Sequence, residues 1–84
     1  MTVNLRFTRR ALRDIRKLPP EARRKIEVAL DQLLDDPRSG DRLHGDWEGF
    51  WKLRTSAYRI TYRIVDEMTV EIQYVRHRRD AYRK

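Results

Sequence analysis

Residues Gly49–Tyr82 read GFWKLRTSAYRITYRIVDEMTVEIQYVRHRRDAY. Apolar and polar residues alternate through most of this stretch, which is the period of a half-buried strand. Trp51 and Leu53 alternate with Phe50, Lys52 and Arg54. Tyr58, Ile60, Tyr62 and Ile64 alternate with Arg59, Thr61 and Arg63, and Val70, Ile72 and Tyr74 with Glu71, Gln73 and Val75. Three strands are therefore expected, at about Phe50–Arg54, Ala57–Val65 and Thr69–Arg76. One sheet face carries the apolar set; the other is open and rich in cations.

Pairing opposed residues on a shared face sets a trial register. A tip at Thr55-Ser56 sets Lys52 opposite Arg59 and Trp51 opposite Ile60. A tip at Asp66–Met68 sets Ile64 opposite Val70 and Arg63 opposite Glu71. Lys52 facing Arg59 is unfavourable unless an anion lies near them. Arg63 has an acid to pair with. Thr-Ser is a poor tight turn, since neither residue favours positive φ.

Upstream, Val3, Leu5 and Phe7 alternate with Asn4 and Arg6, predicting a strand over Thr2–Phe7. Thr8 is placed to cap a helix from Arg9 to Leu18, with Leu12, Ile15 and Leu18 at helical spacing. Pro19-Pro20 ends it and permits a new start. A second helix, about Glu21–Asp35, buries Ala22, Ile26, Ala29, Leu30, Leu33 and Leu34. Pro37 and Gly40 stop it, and a polar loop follows through Arg38–Asp46. The order β-α-α-β-β-β makes an α+β domain over residues 1–84: a small, antiparallel-rich sheet with two helices packed on one face.

The chain has 20 Lys and Arg against 13 Asp and Glu, a net charge of +7 and a pI near 10.4. Such a surplus points to nucleic acid or an acidic partner. Arginine dominates, and its planar fork matches phosphate bidentately. There is no cysteine, so disulfide and thiolate chemistry are excluded, in keeping with a cytoplasmic setting. No apolar run is long enough for a membrane span, and early arginines interrupt any signal-peptide core. Zinc spacing, a glycine-rich phosphate loop, paired catalytic carboxylates and a serine nucleophile motif are all missing, so no metal or cofactor is expected. The tail from Arg76 to Lys84 interleaves Tyr82 with arginines, a composition suited to phosphate contact and base stacking. His77 is a proton-transfer candidate by type, and alternation allows it on the open face beside Arg59.

The ordered pieces FTRRALRDIRKLP, a second helix ending LLDDP, L-x-G, WKLRTSAYRITYRI and VRHRRDAY together resemble the RelE/ParE superfamily of type II toxins, most closely its RelE branch. The resemblance spans essentially the whole chain and implies a RelE-like, microbial ribonuclease-like fold. It implies a ribosome-dependent endoribonuclease that cuts mRNA in the A site by 2′-hydroxyl attack. It matches Lys52, Arg59, Arg78 and Tyr82 to the family's catalytic positions. Phe50 stands where the family often has another lysine, and Arg76 where glycine usually precedes the His-Arg pair. Contacts to RNA or ribosome are expected from Phe50, Arg54, His77, Arg79, Arg83 and Lys84. A cognate acidic antitoxin of RelB type is implied, docking on the helices near Leu12, Ile15, Ile26 and Leu30, with operator DNA reached only through it. The alternatives are a ParE-like gyrase inhibitor and a non-catalytic RNA- or ribosome-binding module.

Overall fold

The computed structural model describes residues 3–81, with side chains through Arg79. Strand β1 (Asn4–Phe7) leads into helices α1 (Arg9–Arg16) and α2 (Pro20–Asp35). A two-residue strand β2 (Asp41–Arg42) and a 3₁₀ turn (Gly45–Trp47) precede β3 (Trp51–Thr55), β4 (Tyr58–Asp66), β5 (Thr69–His77) and a single-turn helix α3 (Arg78–Ala81). The sheet order is β1-β5-β4-β3-β2, with β1 parallel to β5 and the other pairs antiparallel.

Local chemistry accounts for the helices. The Thr8 hydroxyl accepts from the Ala11 amide at 3.0 Å, capping α1, and donates to the Gln73 carbonyl at 2.6 Å. A cap of this kind contributes about 1 kcal/mol. Arg13 and Arg16 lie in the last turn of α1, where the helix dipole favours cations. Pro20 opens α2, where a missing N–H costs nothing. Ile26, Ala29 and Leu33 of α2 and Ala11 of α1 meet Leu53, Ile60, Tyr62, Val70 and Ile72 in one core.

The expected helices and the three long strands form close to their expected bounds, and four departures matter. First, the polar loop contains β2, two residues too short for any periodicity to show. Second, α1 buries Ala11, with Ile15 and the following Leu18 packed partly buried against the core, while Leu12 is 41 % exposed. Third, the β3–β4 tip is one residue later than expected, at Ser56-Ala57. Thr55 pairs with Tyr58, so Lys52 faces Thr61, Trp51 faces Tyr62, and Arg54 faces Arg59. Ser56 takes a φ of 52°, which permits this tip at a steric cost. Because the slip is two positions between partners, no residue changes face.

Fourth, β5 carries a bulge. Tyr62 pairs with Ile72, but Thr61 pairs with Tyr74, leaving Gln73 as the extra residue. Beyond it the strand reverses its faces: Val75 enters the core at 4 % exposure, and Tyr74 and Arg76 turn to the open face. Helix α1 lies along β5 here and satisfies the backbone. The Thr8 hydroxyl donates to the Gln73 carbonyl, and the Asp14 carboxylate accepts from the Val75 amide at 3.0 Å.

Tyr62 ties the loop after α2 to the sheet. Its hydroxyl donates to the Pro37 carbonyl at 2.7 Å and accepts from the Gly40 amide at 3.2 Å. Burial pushes its pKa up to about 12. A Cβ at Gly40 would sit 2.3 Å from the Lys52 carbonyl oxygen, so only glycine lets the loop pass this close.

Candidate nucleic-acid interface on the open sheet face

With the true register, the open face resolves into rows. At one end, Arg6, Glu71 and Arg63 lie side by side across β1, β5 and β4. Both guanidinium groups reach the Glu71 carboxylate at 3.0 Å. Hydrogen bonds from Gln73, then from Arg6 and Arg63, hold the Glu71 carboxyl below its ordinary value. Glu71 thus engages both guanidinium groups and offsets one of their two charges.

At the other end, Arg54, Arg59 and Arg76 form one row across β3, β4 and β5. The row beside it runs Asp41, Lys52, Thr61, Tyr74 across β2 to β5. Among the described residues, Lys52, Arg59 and Arg76 make no ion pair. The Arg59 Nε and the Thr61 hydroxyl are buried without a hydrogen-bond partner among the described residues. Like charges set directly opposite destabilise a sheet, and orphaned buried donors cost about 1–3 kcal/mol each. Such features concentrate where a ligand completes the site. The expected opposition of Lys52 and Arg59 does not form: Arg54 and Arg76 flank Arg59, and Lys52 stands on the diagonal.

An aromatic patch adjoins these cations. Trp47 meets Phe50 at 5.2 Å and Tyr74 at 5.9 Å between ring centroids, both edge to face. Arg10 and Arg76 each lie over the Tyr74 ring, at 4.7 and 5.1 Å. Phe50 is thus half-buried in a ring cluster. Sequence reading missed Arg76, Tyr74, Trp47 and Arg10 as members of this face. The signal was Val75, an apolar residue at a position that strict alternation assigns to the open side.

The remaining expected residues divide. The Arg78 amide donates to the Ala57 carbonyl, which seats the start of α3 beside the β3–β4 tip. His77 pairs with Tyr58, and the rings meet edge to face at 5.3 Å. The bulge places His77 on the helix side of the sheet, away from the Arg59 face. Its Nδ1 accepts from the Arg79 amide at 3.2 Å. Tyr82, Arg83 and Lys84 lie outside the described residues. On the helices, Ile26 has no exposed surface and cannot meet a partner, and Ile15 and Leu30 pack against the core. Leu12 is open to one. No group of three or more His, Cys, Asp or Glu among the described residues is placed to hold a metal ion. No helix among them is long and apolar enough to cross a membrane.

The two-helix layer on a five-stranded mixed sheet matches solved RelE toxins. The toxin–antitoxin complex RelBE2 of Mycobacterium tuberculosis contains a chain that superposes with a TM-score of 0.83 at 40 % identity, covering 93 % of this chain and all of that one. The isolated RelE toxin of Escherichia coli gives 0.78 at 30 % identity, covering 89 % and 83 %. In sequence, Toxin RelG of M. tuberculosis is 41 % identical over the full length of both chains. The mRNA interferase toxin RelE of E. coli is 36 % identical over 83 % of this chain and 76 % of its own. The model of the ParE toxin of type II toxin–antitoxin systems matches residues 5–82. The chain belongs to this family of type II toxins, in its RelE group.

Proposed function

We propose that this toxin is a ribosome-dependent endoribonuclease that cleaves mRNA in the A site. The observation that carries this is the row Arg54–Arg59–Arg76 with Lys52 beside it, on a face whose other end holds its arginines in ion pairs with Glu71. In the reaction, the 2′-oxygen of a nucleotide attacks its own 3′-phosphorus and loses its proton. The bond to the 5′-oxygen of the next nucleotide breaks, and that oxygen takes a proton. The products are a 2′,3′-cyclic phosphate and a 5′-hydroxyl. Negative charge builds on the phosphoryl oxygens, and fixed guanidinium groups stabilise it without reorganising. Arg59 is held by strands on both sides, which suits that role; Lys52 and Arg76 reach the same anion from adjacent positions. Tyr82 and Arg78 are proposed to complete the site from the tail. The ribosome would supply substrate geometry, which relieves the toxin of strong acid–base groups.

The relative named as an mRNA interferase supports nuclease chemistry, and the RelBE complexes among the structural neighbours support an acidic antitoxin as partner. Leu12 and Val28, exposed on α1 and α2, are the proposed apolar anchors for it. Action in the cytoplasm follows from the target.

Primer extension on translating ribosomes tests the proposal. New mRNA ends should appear with the wild type and vanish with Arg59→Ala. Intact mRNA throughout would overturn it. The family model's description as a ParE toxin favours a second reading, inhibition of DNA gyrase. Loss of supercoiling activity with uncut mRNA is the result that would select it.

A further inference from the structure

Trp47 has no part in the phosphate chemistry above, yet it is 44 % exposed beside it. The 3₁₀ turn lifts it over the open face, where Tyr74 and Phe50 brace it. Tyr74 is itself covered by Arg10 and Arg76, and Arg76 belongs to the row of Arg59. Contacts thus run without a break from the central arginine row to the exposed indole. Beneath them Thr61 is wholly buried, with its hydroxyl unpartnered. Adjacent strands are about 4.8 Å apart, and same-face neighbours along a strand about 6.6 Å. Tyr74, which the indole touches, stands diagonal to Arg59 across the β4–β5 pair. An exposed ring braced by other rings, one of them covered by two arginines, suits a nucleobase whose phosphates those arginines hold. An apolar partner side chain would have no use for the arginines.

Building on the endonuclease proposal, we infer that Trp47 is a positioning residue: the platform on which a base next to the scissile phosphate stacks. Stacking on one aromatic residue commonly changes binding by about tenfold to a hundredfold.

Two measurements decide it. A Trp51→Phe background leaves Trp47 as the sole tryptophan. Titration with a 2′-O-methyl trinucleotide, whose blocked 2′-oxygen cannot attack, should quench its fluorescence saturably. An abasic trinucleotide of equal charge should quench far less. On ribosomes, Trp47→Ala should raise KM for mRNA cleavage about tenfold or more, with kcat changed less and the melting temperature unchanged; Trp47→Phe should restore most of the loss. Equal response to the base-bearing and abasic oligomers, with Trp47→Ala cleaving at the wild-type KM, would overturn the inference while leaving the Arg59 chemistry standing. That outcome would assign the exposed indole to a protein partner. Should the wild type cut no mRNA, the endonuclease proposal falls, and the oligomer comparison alone still decides whether Trp47 binds a base.

Discussion

The two ends of the open sheet face share strands β4 and β5 and are both rich in arginine, yet they differ in what they leave undone. At the β4–β5 hairpin, Glu71 gathers Arg6 and Arg63, and both guanidinium groups are engaged. At the β3–β4 hairpin, arginine faces arginine twice, and Arg59 keeps a buried donor without a partner. Positive charge alone therefore does not mark a site. What marks it is charge that the fold concentrates around a buried Arg59 donor with no partner among the described residues.

The largest expected effect breaks the active end. Arg59→Ala should lower ribosomal mRNA cleavage by about 10²–10³-fold, the usual cost of removing one fixed donor to a developing oxyanion. Arg63→Ala should leave cleavage within about twofold, because its guanidinium is occupied by Glu71. Equal losses in both variants would dissolve the distinction between the ends.

Next comes the support beneath Lys52. Tyr62→Phe removes both hydrogen bonds to the 37–40 loop and should cost about 1–3 kcal/mol in urea unfolding. The wild type should also lose stability as pH rises from 10 towards about 12. Folding favours the protonated phenol, so that contribution is complete below the ordinary value and gone above the raised one. The phenylalanine variant should lack this component of the alkaline decline.

The paired end is sharpened by Glu71→Gln. Its two arginine partners are substantially exposed, so water screens much of the interaction and the expected loss is only about 0.5–1 kcal/mol. In the wild type this contribution is present above the ordinary carboxyl value of 4.5 and disappears as pH falls through the lowered one. Acid titration of both proteins, followed by circular dichroism, measures the difference. The smallest effect is Ser56→Gly, which removes the steric penalty of a positive φ and should add about 0.5–1 kcal/mol without changing cleavage.

Most of the fold was legible because period and punctuation agree. Pro19-Pro20, Pro37 and Gly40 bound the helices, and alternation exposes β3 and β4. The β4–β5 tip follows from the Ile64–Val70 pairing. The β3–β4 register was not legible, since it depends on Ser56 accepting a φ that serine seldom takes. The placement of Lys52 and Arg59 on one face survived that slip because two residues preserve parity. Their membership in a longer row did not emerge, because Arg76 reaches it only through the bulge at Gln73. That bulge is fixed by Thr8 and Asp14 of α1, contacts more than 60 residues distant in sequence that no local pattern contains.

The bulge also makes β5 a strand with two reading frames. Its first half is phased for the helices and its second for the open face, and Gln73 is the spacer between them. Ironing out the bulge with all nine residues kept would send Arg76 inward and Val75 outward, whereas deleting Gln73 would leave both on their present faces. A strand of nine residues thus carries both the scaffold and part of the site, and the boundary between the two is a single inserted amino acid.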